Sequence, residues 1–226
     1  MARSSPIALF CILSTQLAVA PPAVAQVAQQ FVETTRGVVG FRLHRVLDVH
    51  AAFRSRHEDL VMAGVYDDGA IVKVRIVRYT IDGKRASASD EAAMVQAYEE
   101  PKPSDAFEPP FDARYANAYS YRQKTPQTLA FTSELRDAAH GDGSFAYDAD
   151  HNVLWYAYQP NALPPHASSG TILDRRAEVL PNYWAVKQET QQYRGSYGPF
   201  HAAATQESDF SDFSRFPDLQ SALRSI

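Results

Sequence analysis

The chain has 226 residues, with 26 acidic against 22 basic side chains and a net charge of −4 at neutral pH. This mild acidity argues against a nucleic-acid partner and gives no basic patch for an anionic membrane surface. Its one cysteine is Cys11, so structural disulfides, thiolate metal sites and cysteine nucleophiles are excluded from the rest of the sequence.

The first 25 residues have the organisation of a secretory signal peptide. Arg3 provides a short positive region, residues 7–19 are mainly apolar, and Ala23-Val24-Ala25 has the small-x-small pattern of a cleavage site. A retained N-terminal anchor is the alternative, but the apolar stretch is short and interrupted for a membrane span. We therefore predict a signal peptide over residues 1–25, cleavage near Ala25, and export to the periplasm or the exterior without a transmembrane span in the mature chain.

The first strands are predicted at residues 37–49 and in a hairpin at residues 59–83, after a short helix at residues 26–36. Asp67-Asp68-Gly69 supplies the turn of a three-residue bulged hairpin, in which Tyr66 faces Ala70. This register gives one apolar face and one mixed face, as in a sheet that is wet on one side. The apolar face carries Leu60, Met62, Val72, Val74 and Ile76, and the mixed face carries Val61, Val65, Ile71, Lys73 and Arg75.

A second helix is predicted at residues 89–100, with Ser89 as its N-cap, and it leads into a proline-rich segment at residues 101–112. The prolines prevent this segment from forming a regular ladder of strand hydrogen bonds. We expect a long ordered loop that carries Phe107 and Phe111. A disordered linker between two domains is the alternative, although the composition does not change across the segment.

The second half of the chain has the pattern of successive antiparallel strands, followed by a closing helix at residues 217–225. Together with the first half, this gives about eight to eleven strands and two or three helices. These later strands are predicted at residues 115–122, 128–137, 143–159, 170–180, 182–195 and 200–213.

The clearest pair of later strands is a hairpin that turns at residues 148–152. The turn places Phe145 opposite Trp155 and Tyr147 opposite Val153 on one face. The second strand carries bulky residues on both faces, so something must cover its second face. That second face carries Leu154, Tyr156 and Tyr158.

No pattern in the sequence demands a nucleophilic or metal-dependent reaction. There is no G-x-S-x-G motif, and the nearest approach, Ser144 directly after Gly143, lies in a plain turn-to-strand sequence. His44 and His50 would lie about 20 Å apart on one strand, at ~3.3 Å per residue, which is too far to share a metal. We predict no catalytic residue, no cofactor site and no metal site.

Asp148, Asp150 and Asn152 have the spacing that begins a calcium-binding loop. Val153 stands where the central glycine should be, and Gln159 stands where a bidentate acid should close the loop. A hairpin turn uses the same residues, and we favour the turn.

Large apolar and aromatic residues recur on the successive predicted strands. They indicate either a packed core with tyrosines at its rim or a hydrophobic cavity between sheet and helices that a lipid-like ligand could occupy. These residues include Tyr115, Tyr119, Tyr121, Leu129, Phe131, Trp155, Tyr156 and Tyr158.

The order of elements, with a signal peptide, a short helix, curled strands, an inserted helix, more strands and a terminal helix, resembles the LolA/LolB-like family of periplasmic carriers. The cues are QQFVETTRGVVGFRL near the start, GSFAYDADHNVLWYAY and NALPP in the middle, and FSRFPDLQSAL at the end. The resemblance implies a half-closed barrel, lidded by helices, that holds lipoprotein acyl chains in transit to the outer membrane. It also implies an arginine that holds the lid closed. Arg42, Arg45, Arg114 and Arg122 are all candidates for that role.

We therefore predict a single α+β domain over residues 26–226, a strongly curved antiparallel sheet in the form of a half-closed barrel with two or three helices on its concave side. The predicted function is an exported, non-catalytic carrier of a hydrophobic or lipid-like ligand, with lipoprotein acyl chains as one candidate. The alternatives are an envelope protein-interaction domain with a packed interior and a hydrolase, which would need a Ser–His pair within hydrogen-bond distance. The predicted cavity wall is Val72, Val74, Ile76, Leu129, Phe131, Trp155 and Tyr156, with Phe107 and Phe111 as lid residues.

Overall fold

The computed structural model describes residues 22–52, 54–101, 107–197 and 200–226. Within these ranges the chain forms eleven strands, three α-helices and one short 3-10 helix. In the first half these are α1 (Pro22–Thr34), β1 (Val38–Ala51), β2 (Arg54–Asp67), β3 (Ala70–Ile81), β4 (Lys84–Arg85) and α2 (Ala88–Glu99). The second half contains the 3-10 helix (Ala116–Ala118), β5 (Ser120–Thr125), β6 (Thr128–Thr132), β7 (Gly141–Tyr147), β8 (Val153–Pro160), β9 (Ala167–Leu180), β10 (Tyr183–Tyr197), β11 (Phe200–Phe216) and α3 (Leu219–Leu223).

All eleven strands belong to one antiparallel sheet, in the order β4-β3-β2-β1-β11-β10-β9-β8-β7-β6-β5. Each strand therefore neighbours the next one along the chain, except that β4 and β5 do not pair, and β1 pairs in addition with β11. This pairing joins the first and last strands in the middle of the sheet. The sheet stays open, because β4 and β5 lie at opposite edges. The predicted antiparallel sheet of eight to eleven strands is confirmed.

The first hairpin turns one residue later than the sequence predicts. Asp68 and Gly69 both have positive φ, 47° and 81°, which is the two-residue type I′ turn that suits the twist of antiparallel strands. Tyr66 therefore faces Ile71 and not Ala70. A bulge beyond this pair leaves Val72 without a partner, so Val72 departs from the predicted apolar face and is 37% exposed.

A bulge also corrects the predicted register of the hairpin between β7 and β8. Tyr147 faces Val153 as predicted, but Phe145 faces Tyr156 and not Trp155. The extra residue is Leu154, which has no partner in β7 and is 37% exposed. Because a shift of one residue exchanges the two faces of a strand, Trp155 moves away from the face that Phe145 occupies.

One face of the sheet carries two large apolar clusters, one toward each edge strand. The aromatic cluster lies over β5–β9, and the α2 cluster lies over β1–β3 and β11. The buried members of the aromatic cluster are Val24, Val27, Phe111, Tyr119, Leu129, Phe131, Phe145, Tyr147, Val153, Tyr158 and Ile172. Those of the α2 cluster are Phe41, Leu43, Leu60, Met62, Tyr66, Val74, Tyr79, Ala86 and Phe210.

The helices begin close to where the sequence predicts. The second helix, α2, has Ser87 and not Ser89 as its N-cap, because Ser87 and Asp90 form a reciprocal capping box. The closing helix, α3, is capped by Asp218, whose carboxylate accepts a hydrogen bond from the backbone N–H of Ser221. Among the described helices, none is long and apolar enough to cross a bilayer.

The first helix, α1, already includes Pro22, four residues before the predicted start at Gln26. Residues 1–21 of the predicted signal peptide lie outside the described residues. The predicted cleavage position after Ala25 falls inside α1, and Val24 is buried in the aromatic cluster. Cleavage there would remove Val24 from that cluster and keep Val27 and Phe31.

Candidate functional site

The aromatic cluster has a floor of sheet residues and a cover from outside the sheet. The floor includes Phe145, Tyr156 and Tyr158, which share one face of β7 and β8. The cover consists of α1 and of residues 107–119. Residues 107–119 are here called the cover segment. Thus the second face of β8 is covered by protein side chains from two distant parts of the chain.

Stacked and edge-on ring contacts connect the cover to the floor. Phe107 stacks on Tyr158, with ring centroids 3.7 Å apart. Phe111 meets Phe145 edge-on at 5.4 Å, and it meets Phe31 of α1 edge-on at 5.1 Å. The two predicted lid residues, Phe107 and Phe111, therefore contact the aromatic floor, and each ring also lies near that of Tyr156, a predicted wall residue, at 5.8 and 5.0 Å.

Hydrogen bonds of two buried tyrosines hold the cover segment in shape. The Tyr119 hydroxyl donates to the carbonyl oxygen of Glu108, and the Tyr121 hydroxyl donates to those of Pro110 and Ala116 at 2.6 and 2.9 Å. Burial raises the pKa of both phenols above the usual value, so they remain donors across the neutral range.

One backbone hydrogen bond and one histidine connect the cover segment to the loop before β7. The Glu108 N–H donates to the Ala139 carbonyl oxygen at 2.8 Å. The buried His140 ring lies between two carboxylates, 2.8 Å from Asp137 and 3.2 Å from Glu108. The histidine side chain lowers the pKa of the Asp137 carboxyl group, since it donates a hydrogen bond to the ionised form.

A cavity of about 150 Å³ remains beneath this cover, between α1, the cover segment and β8–β10. Most of its lining is apolar or aromatic and includes Phe31, Phe111, Tyr156 and Tyr183. Its volume matches that of a cavity able to hold a benzene-sized molecule and is below the ~300–1,000 Å³ of drug-sized ligand sites. The space between sheet and helices is therefore mostly filled by side chains.

Arg176 of β9 also lines this cavity, and the sequence analysis did not single it out. Its guanidinium lies 4.5 Å from the ring centroid of Phe31, and its Nη2 donates to the Trp184 carbonyl oxygen at 2.7 Å. Burial lowers its pKa from 12.5 to about 10, so the group stays charged at neutral pH. Alternation along β9 places Arg176 on the same face as Ile172, but a charged residue beside Arg175 is ordinarily expected to point to solvent.

The four candidate lid arginines lie elsewhere. Arg45 is buried and pairs with Glu58 at 3.0 Å, and Arg114 pairs with Asp112 at 2.6 Å. Arg42 and Arg122 are exposed on β1 and β5. None of the four lines the cavity described above.

A row of polar residues crosses five neighbouring strands between the two apolar clusters. Register partners place Arg45 beside Ser208, Ser208 beside Glu189, Glu189 beside Asp174, and Asp174 beside Tyr156. Glu189 accepts hydrogen bonds from Gln191 and Gln206, at 3.0 and 2.9 Å. The polar row runs from Arg45, beside Leu60 of the α2 cluster, to Tyr156 at the aromatic cluster, and so links the two clusters.

Asp174 is the most perturbed acid of this polar row. Its burial and the neighbouring Glu189 carboxylate raise its pKa from 3.8 to about 8, and one of its oxygens has no hydrogen-bond partner. A largely protonated Asp174 at neutral pH relieves the repulsion from Glu189.

The predicted wall residues do not form one surface. Leu129, Phe131 and Tyr156 belong to the aromatic cluster, whereas Val74 and Ile76 belong to the α2 cluster across the polar row. Val72 and Trp155 join neither cluster, because the two bulges move them out of register. Trp155 instead pairs with Ala146 and Arg175.

The histidines of β1 and β2 make separate pair contacts. His44 pairs with Asp59, His57 pairs with Asp48, and the His50 ring lies 3.3 Å from the Ser55 hydroxyl. This Ser–His pair is exposed at the end of the β1–β2 hairpin, and within the described residues no acid orients its imidazole. The described part of the chain also contains no group of three or more residues placed to bind a metal ion.

Comparison with known proteins gives structural likenesses only. No protein-family model and no curated protein matches the chain. Among solved structures, the chain is similar to a domain assigned to outer membrane lipoprotein sorting in Vibrio parahaemolyticus, with 12% identity over 87% of this chain and 92% of that chain and a TM-score of 0.43. It is also similar to a DUF1329 family protein from Desulfovibrio piger, with 9% identity over 87% and 93% of the two chains and a TM-score of 0.39. A third likeness, to lipovitellin, has 10% identity and a TM-score of 0.39, and covers 82% of this chain and 26% of that chain.

The first of these structures is named for lipoprotein sorting, as is the family that the sequence resembles. At these identities and at TM-scores below 0.5, the likenesses carry no argument about the family, ligand or partner of this chain. The case for a function therefore depends on its own aromatic cluster, cavity and polar row.

Proposed function

We propose that the chain is an exported, non-catalytic binding protein that holds an apolar or lipid-like ligand between its sheet and the cover formed by α1 and the cover segment. The signal peptide would be removed, and residues 26–226 would act in the envelope as one domain. In this proposal the sheet curls as a half-closed barrel around the face that carries both clusters, with α1 and α2 on its concave side. Lipoprotein acyl chains are one candidate ligand.

The observation that carries the proposal is that the cover lies outside the strand ladder. Phe107 and Phe111 contact the floor through ring packing, and Phe31 packs on Phe111, so the three rings can move away while every strand–strand hydrogen bond remains in place. Their removal would uncover an apolar surface on four neighbouring strands, β6–β9, on one face of the sheet. An alkyl chain could replace the rings there and keep this surface away from water.

The cavity alone is too small for a long acyl chain, so binding requires part of the cover to move. Each ring pair contributes only about 0.5–1.5 kcal/mol beyond its buried area. The stack of Phe107 on Tyr158 is the first contact that a ligand lying along β8 would displace. A ligand that buries a comparable area recovers the loss, and the cover then returns over it.

The direct test is native mass spectrometry of the protein isolated from its own envelope, together with uptake of a neutral, pyrene-labelled acyl ester. We expect a bound apolar molecule and saturable uptake of the probe. Recovery of the protein without any bound lipid, together with no uptake, would overturn the proposal.

A matched pair of variants locates the binding surface. Phe107→Ala removes a ring that competes with the ligand, so affinity for the ester should rise about two- to ten-fold, in line with the energy of one aromatic pair. Phe210→Ala removes an equally large ring from the α2 cluster, where Phe210 lies 5.6 Å from the ring of Phe41, and should leave affinity unchanged. Equal effects of both substitutions would contradict the assigned surface.

The alternatives receive less support from the described residues. Apart from Val72 and Val77, which share β3, the large exposed apolar side chains of the described residues lie on separate elements, which gives little support to a contiguous docking patch. They include Val32 on α1, Val77 on β3, Leu135 before β7, Leu154 on β8 and Phe200 on β11.

A further inference from the structure

The cavity beneath α1 has one charged group in an otherwise neutral lining. Among its described lining residues only Arg176 carries a formal charge, and the others include the rings of Phe31, Phe111 and Tyr156. Arg176 is 8% exposed, so its guanidinium is largely removed from bulk water. A buried cation at an apolar cavity is costly unless a partner neutralises it.

Two neutral groups contact Arg176. Its Nη2 donates a hydrogen bond to the Trp184 carbonyl oxygen, and its guanidinium lies over the ring of Phe31. Asp174 is the acid two residues earlier on the same face of β9. Burial and the Glu189 carboxylate raise the pKa of Asp174, which weakens this acid as a counter-charge for Arg176.

We propose that this cavity takes the carboxylate of an apolar monocarboxylic acid, such as a free fatty acid, with the carboxylate on Arg176 and the adjoining carbons against Phe31, Phe111 and Tyr156. The inference rests on the proposed function and adds the head group of the ligand to it. Planar guanidinium and carboxylate groups match in a bidentate geometry, whereas a neutral or cationic head group would leave the buried charge unpaired. The cavity of about 150 Å³ accommodates the head group and its first carbons, and the rest of the chain would lie under the cover.

Binding of octanoate, octanol and octylamine to the unaltered protein tests the head group, because the three molecules share a similar alkyl chain. Calorimetry near neutral pH should give an affinity for octanoate at least about ten-fold above that for octanol, in line with one charge-assisted hydrogen bond, and the weakest affinity for octylamine. Octanol or octylamine binding as tightly as octanoate would overturn the inference.

Two neighbouring arginines of β9 provide a matched pair of substitutions. Arg176→Gln should abolish the preference for octanoate over octanol. Arg175→Gln removes an exposed charge one residue away, on the other face of the strand, and should keep the preference intact. Circular dichroism checks that both variants fold, and if Arg176→Gln does not, the ligand series on the unaltered protein decides the question.

The head-group inference and the proposed function can fail separately. Uptake of the neutral acyl ester without any preference for octanoate would refute the head-group inference and keep the carrier proposal. Binding of octanoate through Arg176 without uptake of the ester would support the head-group site and refute a carrier of long acyl chains.

Discussion

The two apolar clusters on one face of the sheet are covered in different ways. The α2 cluster is built from consecutive elements, β1 to β3 followed by α2, together with β11. Its covering helix has a capping box at Ser87 and Asp90 and buries none of its residues completely. The aromatic cluster instead joins α1, the cover segment and β5–β9, and several of its rings are fully buried.

This difference indicates that the α2 cluster acts as a scaffold, whereas the cover of the aromatic cluster can open. A cover made by a helix next to its strands in sequence forms through short-range contacts, whereas a cover assembled from distant segments loses more chain entropy when it closes. The cover assembled from distant segments therefore depends on large aromatic contacts to stay closed. The cavity, Arg176 and the polar row all lie at or beside this second cover.

Phe111→Ala should give the largest loss of stability and would show how far the aromatic cluster depends on its cover. Phe111 is 1% exposed and contacts Phe31 and Phe145, so truncation should reduce the free energy of unfolding by about 3–5 kcal/mol in urea titrations. Phe111→Leu, the control, should lose less, because it leaves a smaller cavity. A loss below about 1 kcal/mol for the alanine variant would mean that the cover is already loose in the unaltered protein.

The dependence of the free energy of unfolding on pH should report on Asp174 in the polar row between the two clusters. The pKa of Asp174 is raised to about 8 by burial and by Glu189, so the folded state keeps this proton at pH values where the unfolded chain has lost it. Stability therefore falls as pH rises from about 4 to about 8, the range between the unfolded and folded pKa values of this group.

Asp174→Asn should flatten that slope in urea unfolding curves measured across the same pH range. Asp209→Asn, which removes an exposed carboxylate from β11, should keep it. A slope that is the same in both variants would exclude Asp174 as its source.

Loss of the N-cap of α2 should lower stability moderately, and the effect should be confined to α2, which covers the α2 cluster. Ser87→Ala removes an acceptor for the Asp90 N–H and should cost about 1 kcal/mol, with faster amide hydrogen exchange in α2 and little change in α1. Ser89→Ala is the control that separates the predicted cap from the observed one. If both covers exchanged faster together, the two clusters would behave as one cooperative unit.

The smallest effect on stability is expected at Val72, which a bulge removes from the core. Val72→Thr should change the free energy of unfolding by less than about 0.5 kcal/mol, because Val72 is 37% exposed. Val74→Thr, two residues along, buries a hydroxyl at a position that is 3% exposed and should cost about 1–3 kcal/mol. Similar losses for the two variants in thermal melts would contradict the bulge.

The helices and strands follow closely from the sequence, and the wrong predictions concern the register in which strands pair. The pairing of Tyr147 with Val153 is correct, but the pairing of Phe145 with Trp155 is wrong by one residue. Alternation cannot reveal a bulge when both strand faces carry bulky residues, as at Leu154 and Tyr156. The alternation of residues along β9 could not predict that Arg176 is buried, because its burial depends on which segment covers β9.

Alternating apolar residues and turn residues are local properties, and they determined an antiparallel sheet of many strands with two or three helices. They also identified Phe107 and Phe111 as the bulky residues of a proline-rich loop. Only the tertiary structure decided that these rings contact Tyr158 and Phe145, that a polar row runs between two clusters, and that Arg176 faces a small cavity. Those arrangements depend on which distant segments cover which face of the sheet, and the free energy that selects the cover comes from burial and ring packing across the whole chain, which no single window of sequence contains.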